Sequence, residues 1–176
     1  MQFSEMIQQH ATSITLNKGE HVFHQGDSDS TLYFVKYGLL KAYYLSADGK
    51  ETIKSFIKPA NIIGSLSAAY KGLPCTFNLL GLTDCELLRF EFSTLQQAAN
   101  ENNDIATQLI NVLMMHSIKK EQREYDFLML SAEQRFQKFL KNEPELVNQL
   151  TQNDIAKYLG ITPVALSRIK HRIQLD

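Results

Sequence analysis

Over the first half of the chain, apolar and polar positions alternate in short runs. SITL (Ser13–Leu16), HVFH (His21–His24), TLYFVKYG (Thr31–Gly38), LLKAYYLS (Leu39–Ser46) and KETIKSFI (Lys50–Ile57) carry the β-branched and aromatic residues that strands favour. Between them stand NKGE, QGDSDS, Gly38 and ADGK, all turn chemistry, and Asp48-Gly49 marks a hairpin flanked by strands. A second group, CTFNLLGL (Cys75–Leu82) and CELLRFEF (Cys85–Phe92), is separated by Thr83-Asp84. Many short antiparallel strands in about ninety residues predict a small barrel or sandwich. Ahead of them, Phe3 to His10 reads as a short amphipathic helix with Phe3, Met6 and Ile7 on one side.

At Phe92 the period turns helical and stays so. Ser93 to Ala99 makes a short helix, and Asn102-Asn103-Asp104 supplies a break and cap before a long one running to about Tyr125. In that long helix Ile105, Leu109 and Val112 form one stripe, Ile110, Leu113 and Met114 form another, and Met115 and Ile118 extend the apolar surface. A surface wider than one core face needs predicts two contacts, one with the barrel and one with a partner copy, Leu109 being a position where a charge would weaken dimerisation. Ser131-Ala132-Glu133 starts a further helix through Leu140, and Asn142 to Gln149 links it to the end of the chain.

Leu150 to Ile173 then reads as two short helices joined by a tight turn. Thr151 is an N-cap with Asp154 three residues on, Ile155 and Leu159 form a stripe, and Ala156 is small enough to let a second helix approach. Gly160 ends the first helix, Thr162 caps the second, and Pro163 occupies its first turn. Leu166, Ile169 and Ile173 face inward, which leaves Val164, Ser167, Arg168 and His171 outward. Short residues followed by a guanidinium that reads guanine bidentately suit a major-groove helix.

Composition sharpens this picture in three places. A length of 176 residues with 44% hydrophobic positions allows one domain or two small ones with a proper core. The apolar runs are too short for a bilayer span and MQFSEMIQQHA is no secretory signal, so a cytoplasmic protein is expected. A net charge of −1 excludes a chain that coats nucleic acid indiscriminately, while Arg168, Lys170, His171 and Arg172 make a local basic tip. Cys75 and Cys85 form no metal or disulfide pattern and read as small buried hydrophobes. His21 and His24, three apart, point to opposite faces if both lie in one strand, so no metal site is expected. No nucleophile-elbow motif is present, and no catalytic residues are expected.

A small β-barrel, a long helix and a C-terminal helix-turn-helix together resemble the Crp/Fnr family of bacterial transcription regulators. In the barrel the resemblance rests on Gly26, Asp27, Tyr33, Val35, Gly38 and Leu40 with Lys41, similar to the family's G-D-x(4)-Y-x-(V/I)-x-x-G-x-(V/L)-(K/R) signature. In the middle it rests on LSAEQRFQKFL (Leu130–Leu140), which looks like the hinge and first helix of the DNA-binding domain; at the end ITPVALSRI (Ile161–Ile169) resembles the recognition helix. The resemblance implies an α+β fold: an N-terminal double-stranded β-helix (a jelly-roll-like β-roll) with a long dimerisation helix over residues 1–128, and a small helix-turn-helix domain over 129–176. It implies double-stranded DNA and a second copy as partners, with RNA polymerase and a small-molecule effector as further ones.

The family's phosphate cassette, F-G-E-(L/M) followed by P-R-(S/T)-A, is matched only in part. Gly64 is kept, but Ser65 stands where the glutamate would hold the ribose, with Leu66 following; Thr76 is kept, but Cys75 stands where the arginine would neutralise the phosphate. A thiol in place of a bidentate cation counts against a cyclic nucleotide and leaves no certain cofactor. Lys119 and Lys120 fall where family members contact the base, and neither is the usual hydroxyl. Family members often continue into a β-hairpin wing, whereas only Gln174, Leu175 and Asp176 follow Ile173. Thr162, Pro163 and Val164 occupy the start of the resembling recognition helix, so Arg168 carries most of the direct base readout, with Ser167 second. Gln152, Lys157, Lys170, His171 and Arg172 suit phosphate contacts, which position without specifying. The competing expectation is an effector-sensing β-roll that acts through a protein partner instead of DNA.

Overall fold

The structure, a computed structural model, describes residues 3–173, with the side chains of residues 3, 4 and 8 left aside. The Phe3 side chain of the amphipathic helix and the three positions after Ile173 therefore lie outside the described residues. The chain divides into two compact units, one ending at Leu113 and the other beginning at Met114.

The first unit is built on two antiparallel sheets. β1 (Thr12–Leu16), β8 (Cys85–Glu91), β3 (Thr31–Tyr37) and β6 (Ile62–Ile63) form one; β2 (His21–Phe23), β7 (Asn78–Gly81), β4 (Leu40–Leu45) and β5 (Glu51–Ile57) form the other. Alternation along β3 divides its side chains between two cores. Tyr33 and Val35 join Phe23, Leu40, Phe77 and Leu79 in a core drawn from both sheets, while Leu32 turns the other way. There it meets Met6 and Ile7 of α1 (Phe3–His10), Phe90, Leu95 of α3 (Phe92–Glu101) and Ile105 at the start of α4 (Asn103–Met129). The expected hairpin lies between β4 and β5, where Gly49 takes φ of +79°.

The predicted family signature is explained by packing. At Gly38, φ +93°, a Cβ would lie 2.4 Å from the Asp84 carbonyl and 2.5 Å from Cys85 Sγ, so only glycine fits. The Tyr33 hydroxyl donates to Asp29 at 2.8 Å, and Lys41 pairs with Glu51 at 2.7 Å.

Several expectations change. The histidine pair does not split across a strand: β2 ends at Phe23, His24 lies beyond it, and the two rings stack with centroids 4.2 Å apart. The strand rule failed because one of the two residues is not in the strand. Leu109 is partly buried and packs against the core of the first unit. Ile110, Met114 and Ile118, by contrast, are 58%, 55% and 52% exposed. α4 continues past Tyr125 to Met129, since no glycine or proline interrupts it. The link after Asn142 is itself a helix, α6 (Pro144–Gln149), with proline in its first turn, and α2 (Leu66–Lys71) was not foreseen.

The second unit contains the end of α4, then α5 (Ala132–Asn142), α6, α7 (Gln152–Leu159) and α8 (Pro163–Ile173). Ser131 and Gln134 form a full capping box at the start of α5. Phe136, Phe139, Leu146, Ile155, Leu159, Leu166 and Ile169 are buried in its helices. No described helix is long and apolar enough to cross a membrane.

Candidate functional site

The α7–α8 pair is held by reciprocal local bonds. The Thr151 hydroxyl donates to the Asp154 carboxylate at 2.5 Å and accepts the Asp154 N–H at 3.1 Å, which fixes the start of α7. Gly160 closes α7 with φ of +71°, its N–H and that of Ile161 both donating to the Ala156 carbonyl. Thr162 Oγ1 accepts the Ala165 N–H at 3.2 Å and so caps α8. Ala156, fully buried, lies with Ile155 and Leu159 on the buried side of α7, and Leu166 and Ile169 on that of α8.

Burial on that side leaves the opposite face of α8 to solvent. Val164, Ser167, Arg168 and His171 are exposed together with Thr162 and Pro163 at its start; Gln152 is exposed at the start of α7, and Lys157 and Lys170 are half-buried. Arg172 is engaged elsewhere: its Nε and Nη2 both donate to one Glu133 oxygen of α5, at 3.1 and 2.8 Å. This face offers hydrogen-bond donors, a methyl-bearing Val164 and cations on one rigid helix, the combination that reads base edges and phosphates in a groove.

The residues matching the phosphate cassette lie in the first unit. Gly64 does have crowded surroundings, but a Cβ there would meet Leu32 Cδ2 at 2.6 Å and the Thr31 carbonyl at 2.8 Å. Ser65 stands at the N-cap of α2 without a side-chain cap bond, its Oγ buried beside the Cys75 thiol. Leu66 is exposed and Thr76 is exposed, whereas Cys75 is only 2% exposed. Burial pushes the Cys75 thiol up from its ordinary value; hydrogen bonding to the Asp29 backbone and the Ser65 side chain works against this, and the charges of Asp29 and Asp27 add to the rise. Backbone bonds tie this stretch to the Gly26-Asp27 turn: Gly26 N–H donates to the Cys75 carbonyl and Cys75 N–H to that of Asp27, both at 2.8 Å. Phe77, two residues after Cys75, is 2% exposed, packs edge-on to Phe23, and carries the Lys54 ammonium 3.8 Å from its ring centroid. Lys119 and Lys120 are exposed on the part of α4 that belongs to the second unit.

The stacked His21 and His24 rings adjoin Tyr43, whose hydroxyl lies 2.8 Å from His21 Nε2. Burial, then the charges of His24 and Lys41, hold the His21 imidazole below its ordinary value. Among the described residues no group of three or more histidine, cysteine or acidic side chains is placed to hold a metal ion. Arg123 and Arg135 donate to carbonyls at the end of α7, and their only mark in the sequence is Arg123 four residues before Phe127 on one helix face.

The family model for the cyclic nucleotide-binding domain matches residues 13–102. Along nearly the whole chain there is similarity to the transcriptional activator protein Anr of Pseudomonas protegens, 31% identical over 173 residues, covering 90% of this chain and 69% of that protein. An anaerobic regulatory protein of Haemophilus influenzae is 28% identical over 172 residues, covering 90% of this chain and 65% of that protein. The chain thus spans about two thirds of the length of these relatives. In fold it is similar to FixK2 of Bradyrhizobium japonicum, with a TM-score of 0.80 at 20% identity over 94% of this chain and 85% of that one.

Proposed function

Because the chain belongs to the Crp/Fnr family of transcription regulators and is a DNA-binding regulator of that type, we propose that it binds operator DNA in the cytoplasm as a homodimer, and that it is not an enzyme. The observation that carries this reading is the exposed face of α8, with Val164, Ser167 and Arg168 presented by a helix whose other side is anchored through Leu166 and Ile169. Arg168 reads a guanine, Ser167 makes a secondary base contact, and Val164 meets a thymine methyl. Thr162 and Pro163 bring the start of the helix to the groove. Gln152, Lys157, Lys170 and His171 take phosphates; Arg172, already paired with Glu133, steadies α8 instead.

Dimerisation through α4 is supported by its exposed apolar residues, Ile110, Met114 and Ile118 at steps of four and Tyr125 beyond them. The names of relatives as transcriptional activators support RNA polymerase as a further partner. The β-roll takes no cyclic nucleotide at its cassette. Cys75 brings no positive charge, Asp27 and Asp29 add negative charge beside it, and the Phe77 side chain that follows is packed into the core. The roll therefore works as a scaffold or receives a small effector of different chemistry.

The test is selection of operators from a random double-stranded library across a salt series, with and without cyclic AMP. The expected result is a pseudo-palindrome with half-site centres about 34 Å apart. Affinity should fall steeply with salt and stay unchanged by cyclic AMP. Absence of both selection and salt-dependent binding would overturn the reading in favour of a module that works through a protein partner.

A further inference from the structure

The last turns of α4 meet the turn of the helix-turn-helix through a stack of rings and guanidinium groups, all inside the second unit. The Arg123 guanidinium lies 4.2 Å from the ring centroid of Tyr158 and 4.7 Å from that of Phe127. Its Nη2 donates to the Tyr158 carbonyl at 3.0 Å. Arg135 of α5 lies 4.8 Å from the same Phe127 ring and donates to two carbonyls, Leu130 at 2.7 Å and Leu159 at 3.1 Å.

Tyr158 and Leu159 are the last two residues of α7. Their carbonyls belong to the group that a helix end leaves without intrahelical partners, at the negative end of the helix dipole. Two cations from outside α7 therefore satisfy that end, and each also stacks on an aromatic ring. Phe127 closes against the turn so tightly that a Cβ on Gly160 would lie 2.8 Å from its Cε1. Lys138 and Asp126, 2.6 Å apart, add an ion pair between α5 and the end of α4.

We propose that Arg123 and Arg135 are positioning residues for DNA recognition, locking the turn that precedes α8 onto the end of the long helix. The recognition helix and the last turns of α4 then move as one body, and pairing of two α4 helices fixes the distance between two recognition helices. This rests on the reading that the chain binds DNA as a dimer. A locked pair tolerates little change in half-site spacing, because one base pair moves a half-site by about 3.4 Å and rotates it round the duplex axis. A pair on flexible joints would follow such a change.

The measurement is affinity for operators with identical half-sites and the central spacer lengthened or shortened by one base pair. The natural chain is expected to prefer one spacer by about tenfold, the scale of one mismatched base pair. Arg123→Gln should reduce that preference to about twofold while single half-site affinity and its salt dependence stay the same. Arg123→Lys, which keeps the charge but not the planar stack, should fall between, and a preference below that of the natural chain in this variant is the test if the glutamine variant does not fold. An unchanged spacer preference in both variants would overturn the lock. A loss of half-site affinity with a salt slope smaller by about one would also overturn it, since Arg123 would then be a phosphate contact. If the natural chain itself binds no paired site, the dimeric DNA reading fails and the lock fails with it.

Discussion

Gly64 occupies the place where a cyclic-nucleotide cassette keeps a glycine for its ligand, yet its missing Cβ makes room for Leu32 and the Thr31 carbonyl. The residue was legible in the sequence, and its reason was not, because the reason is a long-range contact with β3. Cys75 was legible in both respects: a small apolar side chain was expected, and it lies buried. The histidine pair escapes the alternation rule because β2 ends at Phe23, between the two residues, and the rule holds only within a strand. Arg168 was readable from local rules alone, since capping by Thr162 and burial of Leu166 and Ile169 settle which way it points. Arg168→Ala is expected to cost about 1–3 kcal/mol on the cognate operator and to relax specificity at one base position. Titrations on cognate and random DNA check this; an equal loss on both would reduce Arg168 to a phosphate contact.

At the scale of elements, the long helix and the α7–α8 pair were visible because their caps are spelled in the sequence. Asn102 Oδ1 accepts the N–H groups of Asp104 and Ile105 at 2.9 and 3.2 Å, and Ser131 and Thr151 cap the next helices in the same manner. α2 and α6, six residues each, are too short to show a helical period, and they went unseen. The apolar surface of α4 is wider than the core of the first unit covers, and burial divides its residues into two sets. Ile105 and Leu109 serve the core of the first unit, while Ile118 is 52% exposed. Ile118→Lys should therefore leave the fold intact and weaken the dimer by about 2 kcal/mol or more, the size of an interface hot spot. Leu109→Lys should instead lower stability by inserting a charge against packed side chains. Sedimentation and urea unfolding of both variants separate the two effects; an unshifted dimer for Ile118→Lys would remove α4 from the interface.

At the scale of the molecule, the chain folds as two units, each with buried apolar side chains of its own. The β-roll residues Val35, Leu40, Ala42 and Leu87 are fully buried in the first; Ala156 and Leu166 are fully buried in the second. The near-neutral total charge hides this division, since the basic residues at the end of α8 are balanced by acids spread elsewhere along the chain. The second unit depends on a small core, and small cores lose a large share of their stability when one side chain is truncated. Leu166→Ala is expected to cost that unit about 2–5 kcal/mol. Hydrogen exchange should then show lost protection at the amides of α7 and α8, while those of β4 and β7 keep theirs. Binding to operator DNA should fall in step with the lost protection, because α8 presents its face only when Leu166 anchors it. Loss of protection through the β-roll as well would mean that the two units unfold as one cooperative body, and that the roll draws its stability from the DNA-binding end.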